Sequence, residues 1–185
     1  MSDPSDRPAP SVSWPPWRLP REVQARPDAA AIVEQLRARL TPMWAGSETQ
    51  LCEAPFTGTM RAALVDAALA KATVRGLEQV EQQLSAEAHG MALADARAGT
   101  TRGARLSRLL IVTSDAAERL YRRVATLSER HGGRLLTIRI QTDEETLGGL
   151  LYGTGHVARA LLIADRRHTA AVLLGLAEAP DTPPG

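Results

Sequence analysis

The chain has 185 residues, 22 Lys and Arg against 21 Asp and Glu, a formal net charge of +1, and 44% hydrophobic residues. That size suits one domain with trimmings, and a single cysteine, Cys52, excludes an intrachain disulfide framework and a multi-thiolate metal site. With three Trp, two Tyr and one Phe the core must be closed by aliphatic packing, and no run reaches the roughly 20 apolar residues of a membrane span.

Residues 1–27 are proline-rich, which argues against helix and for a flexible or docked arm. Within them Trp14-Pro-Pro-Trp17 carries two indoles beside a proline pair, a composition that docks in a groove on its own chain or on a partner. Met1–Pro10 is polar and has no following apolar run, so the expected location is the cytoplasm. A helix is predicted from Asp28, with Ile32, Val33, Leu36 and Leu40 as its apolar stripe and Thr41-Pro42 as its end. Residues 43–58 show no clean period and read as a connecting arm anchored by Trp44 and Phe56.

From Thr59 the pattern becomes regular. Met60, Leu64, Val65 and Leu69 predict a helix; Ala72–Arg75 is a short strand or a turn; Gly76 opens a second helix through Leu77, Val80 and Leu84. Residues 88–105 either continue that helix or form an inserted loop. Leu109–Val112 is an unbroken aliphatic run, read as a strand buried on both faces. Ser114 and Asp115 are candidate caps for a helix that Gly132-Gly133 stops. A strand over 135–140, a short helix capped by Thr142 or Asp143, a Gly153-Thr-Gly155 turn, a strand over 160–164 and a helix over 169–176 complete the domain, with a frayed tail over 179–185. Alternating strands and helices predict an α/β fold, a three-layer α/β/α sandwich over residues 59–178, preceded by a helix and arm over 28–58.

The order of these elements and several short signatures resemble the ribosomal protein L7Ae/L30e superfamily, including the third domain of eukaryotic-type peptide release factors. The signatures are Arg75-Gly76-Leu-Glu-Gln79-Val-Glu-Gln82, similar to the family's glycine-started helix; Leu109–Asp115, similar to a strand running into a small-residue step and an aspartate; Arg130-His-Gly-Gly133; Glu145-Thr-Leu147-Gly148; and Ala160–Asp165. The resemblance implies RNA contact at the start of the Gly76 helix, with a second contact on the Gly153–Val157 loop, where His156 lies. The chain departs from RNA-binding members in having Glu78-Gln79 where they tend to have Asn-Glu, and Gln82 where they have a lysine.

The net charge conceals an uneven layout. Residues 97–139 hold ten arginines and three acids, whereas residues 76–96 hold four acids and no basic residue. Arg102, Arg105, Arg108, Arg119, Arg122 and Arg123 are thus candidate phosphate contacts, with Arg75, Gly76, Gln79, Gln82 and His156 added by the resemblance. Structured RNA or the ribosome is the expected partner of this reading. The competing reading is a protein-interaction scaffold or homodimerising adaptor, with Trp14, Trp17, Trp44 and Phe56 as anchors. The four histidines show no metal-ligand spacing, no phosphate-loop lysine follows the glycines, and Cys52 has no adjacent histidine. No catalytic residue, metal or cofactor is predicted, and the expectation is a non-enzyme that does not enter membranes.

Overall fold

Aliphatic residues in unbroken runs build the centre of the molecule. The computed structural model describes residues 15–101 and 103–177. In chain order these form α1 (Arg21–Gln24), α2 (Ala29–Ala38), β1 (Leu40–Pro42), β2 (Gln50–Ala54), α3 (Gly58–Leu69) and β3 (Thr73–Arg75). There follow α4 (Leu77–Ala98), β4 (Arg108–Thr113), α5 (Glu118–His131), β5 (Leu135–Ile140), α6 (Glu144–Tyr152), β6 (Ala160–Ile163) and α7 (Arg166–Ala177).

The strands make one six-stranded sheet in the order β1-β2-β5-β4-β6-β3. β2, β5 and β4 run parallel, while β1, β6 and β3 each pair antiparallel with their neighbours. Helices pack on both faces, so β4 divides its residues between two cores. Leu109 and Ile111 join one core with Trp17, Ile32, Leu36, Met60, Leu64 and residues of α7, whereas Leu110 and Val112 join the other with Val80, Leu84, Tyr121 and Val124. Burial on both faces is the reason this strand is continuously apolar rather than alternating.

Several expectations are corrected. Residues 43–58 are not merely a connecting arm: Gln50–Ala54 is a strand whose Cys52 and Ala54 pair with Ile138 and Ile140. Thr41-Pro42 does not simply end a helix, because Leu40–Pro42 forms the outer strand of the sheet, a place that tolerates proline's missing N–H. The arm contains one helical turn, α1, fitted between Pro20 and Pro27. Its Arg18 forms a parallel bridge to Arg105, and Trp17 is 5% exposed in the chain's own core. Of the two readings of residues 88–105, helix extends to Ala98 and ends on Gly99 in the left-handed conformation.

Ser114 and Asp115 do not cap α5, whose N-cap is Ala117 with no side-chain hydrogen bond. They bind the next connection instead. The Asp115 carboxylate accepts from the Glu144 N–H at 3.2 Å, and the Ser114 hydroxyl donates to the Thr142 carbonyl at 3.1 Å. Asp143, the expected cap of α6, accepts from the Thr146 N–H at 2.6 Å.

Candidate functional site

The chain leaves β4 to form α5 on one face of the sheet and leaves β5 to form α6 on the other. That reversal opens a crevice beyond the carboxyl ends of the parallel strands, the place where α/β sheets commonly take ligands. Leu77, Ala117 and Glu144 line a cavity of about 380 Å³ there, so the N-termini of α4, α5 and α6 converge on it. Arg119, Arg123 and Arg159 share its wall with Asp115. A second cavity of about 590 Å³ adjoins it, sharing Leu77, Leu120, Glu144 and Arg159 and adding Arg75, Gly76, Gln79 and His156. Together they form one groove along the sheet end. Three helix starts and four guanidinium groups meet there with the Asp115 and Glu144 carboxylates, Arg159 being paired with Glu144 and Arg123 lying 3.5 Å from Glu81.

Local backbone chemistry fixes both walls. Gly76 precedes α4 with φ of +90°, a conformation L side chains rarely adopt, and its N–H donates to the Ala160 carbonyl at 2.9 Å. On the facing wall Gly148 lets α6 lie against the loop: a Cβ there would stand 2.2 Å from the His156 carbonyl oxygen and 2.6 Å from Val157 Cα. Arg75 spans the two walls, its guanidinium 4.7 Å from the Tyr152 ring centroid and 3.4 Å from His156 Nδ1. Arg159 is held by Glu144 through a 2.8 Å bond from Nη2 to Oε1 and by a second contact through Nε.

The predicted site residues therefore separate. Arg75, Gly76, Gln79, Arg119, Arg123 and His156 meet at the groove. Gln82 is exposed farther along α4 and lines neither cavity. Arg122 pairs with Glu118 at 2.6 Å and lies 5.0 Å from the Trp44 ring. Arg105 and Arg108 lie at the other end of the sheet, and Arg102 falls outside the described residues.

Much of the arginine excess is answered locally by α4. Glu87 receives Arg108 at 3.0 Å and Arg134 at 2.5 Å, with all three side chains at most 17% exposed. Burial would raise the Glu87 carboxyl, but hydrogen bonds from Arg108, Arg134 and Gln83 hold it below its usual value. Glu81 lies 3.5 Å from Arg123 and 3.7 Å from Arg130.

Sequence reasoning missed Arg159 and Glu144 as groove residues. Arg159 stands just beyond the Gly153–Val157 loop, so its position was the available signal; Glu144 carried none, because its role depends on Asp115 across the sheet end.

The aromatic anchors are mostly used at home. Trp17 is buried, Trp44 and Phe56 are half-buried, Arg61 lies 4.8 Å from the Phe56 ring, and Trp14 falls outside the described residues. Cys52 is buried, and burial pushes its thiol up to about 12. Among the described residues no group of three or more His, Cys, Asp and Glu is placed to hold a metal ion, and no helix is long and apolar enough to cross a membrane.

No protein-family model matches the chain, and no match is found among curated proteins. Among solved structures, a protein of unknown function from Bacillus halodurans C is similar at 19% identity, over 62% of this chain and 95% of that one, with a TM-score of 0.41.

Proposed function

We propose that the chain is a non-enzymatic RNA-binding module, ribosome- or translation-associated, of the L7Ae/L30e-like kind. The observation that carries the reading is the convergence of Arg75, Arg119, Arg123 and Arg159 with three helix N-termini on one groove. The family resemblance supports it, since the glycine-started helix and the loop bearing His156 form the two walls of that groove. Gln79 supplies an amide able to read a base edge, and His156 a ring able to stack on an unpaired base. Guanidinium groups would hold the phosphates and set register.

Binding of a fluorescent structured RNA at several salt concentrations tests this. Four phosphate contacts predict a slope of log K against log salt of about −3. Arg119→Gln with Arg123→Gln should flatten that slope by about 1.5 and weaken binding at least tenfold, whereas Arg122→Gln, off the groove, should leave it unchanged. No complex at low salt, or equal sensitivity to Arg122→Gln, refutes the reading.

A further inference from the structure

The opposite end of the sheet carries a second cationic cavity, of about 660 Å³, between the arm, α4 and the end of α5. Arg18 and Arg21 reach it from the arm, and Arg105 from the connection ahead of β4. Arg130 and Arg134 come from the α5–β5 corner, and Arg166 from the start of α7. Six arginines thus line one space, and Asp95 is the carboxylate among its lining residues.

Three of the six have structural duties. Arg134 is tied to Glu87, Arg130 approaches Glu81, and Arg105 donates to the Leu19 carbonyl and, at 2.7 Å, to Gln24. The side chains of Arg18, Arg21 and Arg166 have no ion-pair partner among the described residues. His131 also lines the cavity and is 6% exposed, with its Nε2 closed off from solvent. Burial and the nearby Arg134 and Arg130 charges hold the imidazole below its usual pKa, so near neutral pH it is uncharged and able to donate through one ring nitrogen. At the end of α5 the His131 carbonyl accepts from the Arg134 N–H at 3.0 Å.

We infer that this cavity is a binding site for a small oligophosphate, a ligand with two or more linked phosphates held by Arg18, Arg21 and Arg166 beside His131. A single phosphate would leave guanidinium groups from the arm and from α7 unanswered, whereas linked phosphates reach several planar, multidentate donors at once. Ala88, Met91 and Ala104 make one wall apolar, which suits the base or sugar of a nucleotide, and the volume lies in the range of small-molecule sites. The site is at the other end of the sheet from the RNA groove and stands without that reading.

Calorimetric titration of the full chain with ATP and, separately, with inorganic tripolyphosphate in metal-free buffer at physiological salt tests the inference. Saturable binding below millimolar concentration is expected, with a rise in melting temperature and a displaced His131 ring signal in NMR spectra. Tighter binding of ATP than of tripolyphosphate assigns the source as a nucleotide; equal or weaker binding assigns it as a bare oligophosphate. The exposed pair Arg18→Gln and Arg166→Gln should weaken binding of either probe, read at the His131 ring, at least tenfold, whereas Arg122→Gln, which lines neither the groove nor this cavity, should leave it unchanged. Absence of saturable binding by either probe, indifference to the Arg18 and Arg166 substitutions, or loss on Arg122→Gln overturns it.

Discussion

Replacing Glu87 by Gln removes one negative charge from the place where α4 meets β4 and β5. The Glu87 carboxylate accepts from Arg108 Nε at 3.0 Å, Arg108 Nη2 at 3.1 Å, Arg134 Nη1 at 2.5 Å and Gln83 Nε2 at 2.8 Å. Glutamine keeps the shape and one acceptor but turns an NH2 group toward a guanidinium, leaving two shielded arginines without a counter-charge. Removing one partner of a buried pair costs about 3–5 kcal/mol. Exposures of 16%, 17% and 11% for Arg108, Glu87 and Arg134 let water recover part of that, so about 2–4 kcal/mol is expected. For a chain of this length the melting temperature should fall by on the order of 10 °C. Urea denaturation at neutral pH reads the loss, and a loss below about 1 kcal/mol would refute the account of Glu87 as the hub of this corner. The pH profile gives a second reading. The folded carboxyl lies below its ordinary 4.5, so between the two values the unfolded chain binds more protons and stability rises with pH. The contribution is complete above about 4.5 and is lost as pH falls through the folded value; Glu87→Gln should lack this acid limb.

Gly148→Ala should destabilise by about 1–3 kcal/mol through its clash with backbone at His156 and Val157, outweighing a helix-propensity gain of up to about 1 kcal/mol. It should also shift the backbone resonances of residues 156–159, and an unchanged melting temperature with unchanged spectra would count against the close approach. Cys52, fully buried with its thiol pushed up to about 12, should be alkylated at pH 8 no faster than the chain unfolds, so rapid labelling of folded protein is the adverse result. Trp17→Ala should cost about 3–5 kcal/mol in urea denaturation, because the indole is part of the core rather than a free anchor. Wild-type stability in that variant would return Trp17 to the role of partner contact.

How much the sequence revealed depended on how local the signal was. The Leu109–Val112 run announced β4 because burial on both faces removes every polar residue from it. The Asp143 cap was equally legible, since its partner Thr146 lies three residues on, and the Gly76 helix start was legible from a glycine standing just ahead of an apolar stripe. β2 was not legible: Gln50–Ala54 mixes polar and apolar residues, and the ladder that makes it a strand is with Ile138–Ile140, far along the chain. Asp115 misled for the same reason, as the N–H it caps belongs to Glu144. The arginine-rich stretch over 97–139 suggested one patch, but it crosses a loop, two strands and a helix. Their different periods send Arg119 and Arg123 to one end of the sheet, Arg105, Arg130 and Arg134 to the other, and Arg139 toward Glu53.

The strand order has a consequence for synthesis. Every ladder except the β1–β2 hairpin includes β5 or β6, so no other strand pair can form before Leu135 has been made. At about 5–20 residues per second, β2 waits on the order of 4–17 s for its parallel neighbour and β4 roughly 1–5 s. During that interval Leu109–Val112, the most apolar segment of the chain, has no ladder partner. The growing polypeptide is therefore most exposed to aggregation just before its second half closes the sheet, and chaperone capture is best sought on chains arrested between β4 and β5.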